Sequence, residues 1–518
     1  MRERRSLTLS IGFCLCLLMF AGTTASAGDV QEARPAQDPS PTPIMKIEPL
    51  QDREGRPLDQ RSQRIIFSDD FGQQVPQSRF HLDRALNVPD WLHLGLQSRW
   101  RYESYSQPLR KNETTGGAQF SERTLAQLGV RYKPFLLFAE FLDARPLYNV
   151  GLTVNGKMED RNDLLQLYLG IRTDRFLGSS VPSELRVGKF TLDLGSRRLF
   201  ARVNFTNVPS SFLGAHWILG TTDEWKVRTF VMRPIRNQQT SPDQVDTNTL
   251  LAGILYQERR LPWVYTELYL YYTSQNDRAP SSGSIQNEES AHGERQNLYS
   301  AGFRLFRPAH RGAYDYEVES IYQFGKSALQ AGGTLVGGTP LPVFAFNQHA
   351  EIGYTFAVPW SPVVRVLYDY ASGDKDPNDR RNGRFDSLYG ARNFDFTHTG
   401  IWSLFNRSNL SSPGIFFALH PSDTVRVALK QRFYWLAQSK DEFIGAGLQD
   451  RSGRSGNYLG SECDLRVAWT ASPNLLLEAG WLYLIKGSYY GNLLREGIAG
   501  SPNDKNTDYV FVSMRLFF

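Results

Sequence analysis

From Trp91 to its last residue the chain alternates apolar and polar positions with a period of two, the spacing of a strand with one apolar face. In WLHLGLQSRWRYES, Leu92, Leu94, Leu96, Trp100 and Tyr102 fall on one face, and His93, Gln97, Arg99, Arg101 and Glu103 on the other. The comb recurs in DLLQLYLGIRTD, where Leu165, Leu167, Leu169 and Ile171 oppose Gln166, Tyr168 and Arg172. It recurs in DTVRVALKQRFYW, with Val425, Val427, Leu429, Phe433 and Trp435 opposite Arg426, Lys430 and Arg432, and in SECDLRVAW, with Cys463, Leu465, Val467 and Trp469 opposite Glu462, Asp464 and Arg466. The final stretch, DYVFVSMRLFF, sets Val510, Val512, Met514, Leu516 and Phe518 against Asp508, Ser513 and Arg515. About 18 such segments occur, each near the roughly 9–11 residues a tilted membrane strand needs.

The connections alternate in length. Tight turns at 133–135, 221–224, 358–362, 420–423 and 471–474 are interleaved with long polar stretches at 106–119, 193–214, 274–295, 326–345, 372–412, 438–458 and 487–505. Short turns on one side and long loops on the other predict an all-β fold: an antiparallel transmembrane β-barrel of about 18 strands, with periplasmic turns and extracellular loops. A soluble β-sandwich would share the alternation, but not an apolar face so rich in Tyr, Trp and Phe at segment ends.

The start of the chain reads as an export signal. A basic MRERR, an apolar stretch and the small-residue site Ala25, Ser26, Ala27 predict a signal peptide over 1–27. Residues 28–90 begin with the Pro-rich QEARPAQDPSPTP and predict a periplasmic arm or plug segment before the barrel of 91–518. The expected address is the outer membrane of a Gram-negative bacterium, with outer-membrane lipid as the surrounding partner.

Composition sharpens this picture only in places. Aromatic residues reach 13% with charged residues at 21%, and mean hydropathy is −0.40. After the signal only Cys463 remains, so no internal disulfide is available, and barrel closure must supply rigidity by removing strand edges. The net charge of +5 does not indicate a nucleic-acid partner.

If the apolar face meets lipid, the polar face lines a lumen. Arg99, Arg101, Arg131, Arg172, Arg228, Arg304, Arg365, Arg426, Arg432 and Arg466 all fall in that register, where guanidiniums favour anions. The alternative is that they pair with Glu103, Asp315, Glu317, Glu319, Asp369 and Asp464, which fall in the same register, as ladders that select nothing. Asp374, Asp376 and Asp379 form a weak metal candidate. The position where an EF-hand needs glycine holds Asp379, and the twelfth is Phe385, so an Asx-type turn is the competing reading. No cofactor is expected.

ASGDKDPNDRRNGRFDSLYGARNFDF (371–396), followed by NRSNLSSPG, and RVGKFTLDLGSRRLFARVNFTNVPSSFLG (186–214) resemble the alginate export family of outer-membrane porins. The resemblance runs over roughly 90–518 and departs from the family at GKF, which puts Lys189 where an arginine is expected. It implies an 18-stranded barrel with an Arg-rich constriction that conducts an anionic uronate polysaccharide. By position, that role passes to Arg99, Arg101, Arg131, Arg172, Arg197, Arg198, Arg365, Arg392, Arg407 and Arg466; Arg426 and Arg432 join from the lumenal register. It also implies the barrel assembly machinery as a partner, with Phe518 as the assembly signal, and leaves room for periplasmic export partners.

The leading reading is therefore a channel for an anionic saccharide or small organic anions. A general diffusion porin and an adhesive barrel remain alternatives. A barrel hydrolase would have to use His292, His398 or His420, and no nucleophile motif accompanies them.

Overall fold

The computed structural model describes residues 82–221, 224–276, 296–328, 340–396, 398, 400–472 and 474–518. The expected signal peptide and most of the arm lie outside these residues; only a helical turn, Leu82–Ala85, and the lead into the first strand fall within them.

Eighteen strands form one antiparallel sheet. They are β1 (Leu92–Tyr105), β2 (Gly117–Tyr132), β3 (Phe135–Val150), β4 (Asp160–Thr173), β5 (Ser183–Phe190), β6 (Phe212–Gly220), β7 (Trp225–Arg236), β8 (Thr249–Glu258) and β9 (Tyr265–Gln275). The second half comprises β10 (Gln296–Arg307), β11 (Ala313–Ser327), β12 (Leu341–Thr355), β13 (Val363–Ala371), β14 (Leu410–Ser422), β15 (Val425–Trp435), β16 (Tyr458–Ser472), β17 (Leu475–Lys486) and β18 (Thr507–Phe517). Each strand pairs with its neighbours in sequence, and β18 returns to β1, with Arg515 opposite Arg99 and Phe517 opposite Gln97. Closure leaves no free edge, so every ladder hydrogen bond is satisfied within the protein, as a hydrocarbon surround demands.

The alternation resolves as expected. Leu169, Val187, Val231, Ile254, Ile352, Val366, Ile415 and Val512 point outward, while Arg99, Glu103, Arg365, Lys430, Asp464 and Arg466 are buried inside. Outward aromatic residues gather at both ends of the barrel. Tyr132, Phe135, Trp263, Tyr314 and Trp360 ring the short-turn end, and Tyr102, Tyr148, Tyr299, Phe324 and Phe344 the loop end. These are the two interfacial belts of a membrane barrel.

Two register expectations are corrected. Leu165 is buried, not outward: in the β3–β4 ladder Glu140 pairs with Gln166 and Phe141 with Leu164, so a bulge turns Leu165 into the interior. Asp508 shares the outward register of Val510, is exposed, and accepts a hydrogen bond from Trp481 Nε1 at 3.1 Å. Its position at the loop end of β18, above the apolar band, lets a carboxylate stand on that face.

The interior is not an open tube. The β5–β6 connection (191–211) and the β13–β14 connection (372–409) fold into the lumen and pair with each other. Ala201 N donates to Tyr389 O at 3.0 Å, Tyr389 N to Leu199 O at 2.9 Å, and Ala391 N to Arg197 O at 3.0 Å. Aromatic packing holds this plug to the wall: Phe200 lies against Phe230 and Tyr271 of β7 and β9 at centroid distances of 5.4 and 5.2 Å. A second apolar cluster gathers Tyr105, Trp402, Phe405, Phe443, Leu448, Tyr489 and Leu493 at the loop end, where the helix Ser488–Arg495 caps the lumen.

Candidate functional site

Of the fourteen arginines singled out in the sequence, Arg304 pairs with Glu267 (2.9 Å) and Glu317 (2.8 Å) and Arg228 Nε donates to His216 Nε2 (3.2 Å); the other twelve separate into three sets. Arg131, Arg172 and Arg426 stand at the short-turn ends of β2, β4 and β15, at least partly exposed; Arg172 Nη1 lies 3.8 Å from Glu184 Oε2. They flank the periplasmic mouth.

The second set meets the tip of the 191–211 connection. Arg99 donates to the carbonyl oxygens of Asn204 (2.8 Å) and Thr206 (2.9 Å) and to Asn207 Oδ1 (3.0 Å). Arg101 donates to Phe205 O at 2.5 Å, stacks over the Phe205 ring at 4.4 Å, and pairs with Glu103 at 2.9 Å. Arg466 pairs with Glu478 at 2.9 Å and lies over Phe511 at 5.4 Å. Two arginines absent from the expected set complete it: Arg123 of β2 donates to Asn204 O (3.0 Å), and Arg515 of β18 pairs with Glu478 (3.2 Å). Both stand in the inward register of their strands, Arg123 on the same parity as Arg131, so the alternation itself could have found them.

The third set lies in and around the plug, and four of its members, Arg198, Arg365, Arg407 and Arg432, pair with carboxylates. Arg197 and Arg198 follow Gly195, whose φ of 52° lies in the left-handed region that glycine tolerates, and Arg197 itself sits at φ 65°. That tight turn delivers Arg198 to Glu317 (2.6 Å), to Asp395 (2.7 Å) and to Glu319, while Arg197 lies over Phe394 at 4.9 Å. Arg407 joins Asp395 at 2.5 Å, and Arg432 of β15 meets Asp369 at 2.6 Å. Arg365 of β13 pairs with Asp315 of β11 at 2.8 Å. Arg392 lines a cavity of about 70 Å³ between the two inward loops and β7. Of the acids expected in that register, Asp315, Glu317, Glu319 and Asp369 each take an arginine partner here, Glu319 that of Arg198.

At the loop end a cavity of about 320 Å³ is bordered by Arg110, Lys111, Gln296, Asn382, Arg384 and Glu442. Asp376 and Asp379 are exposed, and each caps a turn: Asp376 Oδ1 accepts from Asn378 N at 3.1 Å, and Asp379 Oδ1 from Arg381 N at 2.7 Å. Asp374 is buried instead and donates its own N–H to Asp441 at 2.7 Å. The Asp376 and Asp379 hydrogen bonds are those of Asx turns, whereas the Asp374 contact is long-range. Among the described residues, three or more metal-type ligands converge only at His349, Asp369 and Asp395 and at Asp160, Asp163 and Asp243.

The two candidate histidines among the described residues, His398 and His420, stand in different parts of the barrel. His398 is buried in the plug, stacked 5.0 Å from Phe205 and 3.4 Å from Asp464, whereas His420 lies near the short-turn end of β14; His292 is outside the described residues.

A closed barrel with an apolar belt outside and charged, loop-filled space inside is an outer-membrane channel former of a Gram-negative bacterium. The family model "Alginate export" matches residues 90–493, and the chain belongs to the alginate export family. The family and fold are those of transport barrels. Among solved structures the chain resembles Pseudomonas aeruginosa OccD3 (OpdP), at 12% identity over 82% of this chain and 91% of that one, with a TM-score of 0.52. It also resembles P. aeruginosa OpdQ (12% identity, 82% and 97% covered, TM-score 0.51) and the P. aeruginosa outer membrane protein opdK (10%, 82% and 99%, 0.51). At those identities the likeness shows the fold alone. Among curated proteins, none matches the chain.

Proposed function

We propose that this barrel is a loop-gated channel for an anionic saccharide of the polyuronate type, or for small organic anions, and that the guanidiniums around residues 204–206 are its anion contacts. One observation carries the reading. Among the described residues Arg99 and Arg123 have no carboxylate within ion-pair distance; backbone carbonyl oxygens, and for Arg99 one amide oxygen, take the hydrogen bonds of Arg99 Nη1 and Nη2 and of Arg123 Nη1.

That choice of acceptor matters energetically. A neutral hydrogen bond contributes about 1 kcal/mol net, and one to a charged group about 1.5–3 kcal/mol. A carboxylate arriving from a uronate therefore competes favourably for these donors, whereas it would gain little by displacing Glu317 or Asp395 from Arg198. In this reading the tip of the 191–211 connection imitates the substrate and leaves when the substrate enters. The carboxylate-paired arginines keep the remainder of the plug in place.

Deleting 203–207 tests the gate. The shortened protein, reconstituted in planar bilayers, is expected to show a several-fold larger unitary conductance than the full chain. An unchanged conductance in a folded, heat-modifiable barrel would contradict the gate.

A further inference from the structure

The GKF segment contains a feature that the channel reading does not use. Lys189 of β5 reaches across to two acids, with Nζ 2.7 Å from Asp163 Oδ2 and 2.9 Å from Asp243 Oδ2. Asp163 belongs to β4 and Asp243 to the β7–β8 connection. A third acid, Asp160 at the start of β4, points to the same place, and one oxygen from each of the three carboxylates lies within 4.8 Å of the others.

Local structure builds this convergence. Asp160 and Asp163 are three residues apart and would face opposite sides of a regular strand. In the β3–β4 ladder, however, Leu142 pairs with Asp163 and Ala144 with Asp160, so three steps on one strand oppose two on the other. Asn162, at φ 53°, takes up the extra residue in the left-handed region that asparagine tolerates. The bulge brings both carboxylates to one side. Asp243 is set by its own connection, where Gln238 N donates to Asp243 Oδ1 at 2.9 Å and Arg161 N to Gln239 O at 3.2 Å.

Asp160 is the informative member. Its side chain is 1% exposed, and neither carboxylate oxygen has a hydrogen-bond donor among the described residues. A buried carboxylate without donors is costly unless a proton or a cation neutralises it. Three carboxylates facing one ammonium leave two negative charges, the charge of one divalent cation. The donor set is entirely oxygen, which suits calcium and disfavours zinc or copper.

We propose that Asp160, Asp163 and Asp243 form a calcium-type divalent cation site at the extracellular rim, with Lys189 balancing the remaining charge. The cation would fasten the β7–β8 connection onto β4 and β5, beside the root of the inward-folding 191–211 connection. The site stands apart from the arginine contacts, so its test is independent of the channel reading.

The experiment uses the full mature chain refolded in detergent from inclusion bodies, free of lipopolysaccharide that would itself bind calcium. Equilibrium dialysis with Ca²⁺ at pH 7.5 is expected to find one saturable site per chain, and thermal melting a Ca²⁺-dependent upward shift that Mg²⁺ reproduces only weakly. Asp160→Asn is expected to weaken Ca²⁺ binding at least tenfold and to abolish the shift. Lys189→Met, which leaves one more uncompensated negative charge at the site, should bind Ca²⁺ more tightly than the wild type. The proposal is overturned if the wild type binds no Ca²⁺ saturably, which would mean that protons neutralise the cluster, or if Asp160→Asn binds as tightly as the wild type. Should Asp160→Asn not refold, Asp243→Asn on the connection takes its place under the same criterion.

Discussion

Arg99 and Arg198 are both fully buried guanidiniums, and their acceptors separate their roles. Arg198 is held by Glu317, Glu319 and Asp395, and breaking such a buried pair from one side costs about 3–5 kcal/mol because the stranded charge stays in place. Arg99 instead meets carbonyl oxygens over a hundred positions away in sequence, a contact that another acceptor can take over. Periodicity showed that both side chains are polar and that Arg99 points inward; it could not show which acceptor each would meet, because the acceptors come from loops with no period. The acidic loop at 374–379 makes the same point. Its spacing suggested a metal, yet Asp376 and Asp379 cap turns, and Asp374 is buried beside Asp441. Burial, with Asp441 and then Asp379 nearby, pushes the Asp374 carboxyl up to about 6. A carboxyl whose pKa is raised by folding favours the folded state at low pH and loses that contribution as pH rises through 6. Asp374→Asn is therefore expected to raise the melting temperature at pH 7.5 and to raise it much less at pH 4, where the folded carboxyl is protonated and the unfolded one, with a pKa of about 3.8, is roughly half protonated. A shift of equal size at both pH values in parallel melts would contradict this account.

At the scale of elements, the strands were legible and the plug was not. A period of two over segments of membrane-spanning length fixes which residues meet lipid, and the middle of β15 and residues 462–469 of β16 follow it residue by residue. It fails where an extra residue enters, as at Leu165, because a bulge leaves no mark in composition. Length alone marked 193–214 and 372–412 as loops. That they fold inward depends on Phe200, Phe385 and Leu388 finding apolar wall residues such as Phe230, Tyr271 and Leu298, a match made only in three dimensions. The last strand supports a separate expectation. Phe518 and Leu96 exchange backbone hydrogen bonds, with Phe518 N donating to Leu96 O at 2.8 Å and Leu96 N to Phe518 O at 3.1 Å, so the terminal residue extends the seam that closes the barrel. Removing Phe518 deletes only the final pair of that seam, yet assembly is expected to suffer more than stability if the residue is also the signal read by the assembly machinery. Expression of the deletion in cells should lower the heat-modifiable, membrane-inserted fraction several-fold, while refolding in detergent proceeds to the wild-type melting temperature. Normal insertion in cells would remove the assembly role.

For the whole molecule, closure, lipid-facing belts and a charged interior give a barrel that stands in the outer membrane and carries its own stopper. The stopper is fastened by two kinds of contact: carboxylate pairs that resist exchange, and carbonyl contacts around residues 204–206 that invite it. In the proposed reading this is an anion channel at rest; a barrel serving only adhesion would have no use for guanidiniums directed at neutral acceptors in its lumen. The most direct test is the reversal potential of the reconstituted protein in a salt gradient, with uronate oligomers added as blockers. The account predicts an anion-selective pore, blocked by the oligomers, and a marked loss of both selectivity and block in the Arg99→Ala/Arg123→Ala double variant. A pore that is cation-selective, or one whose selectivity and block survive the double substitution, would contradict it.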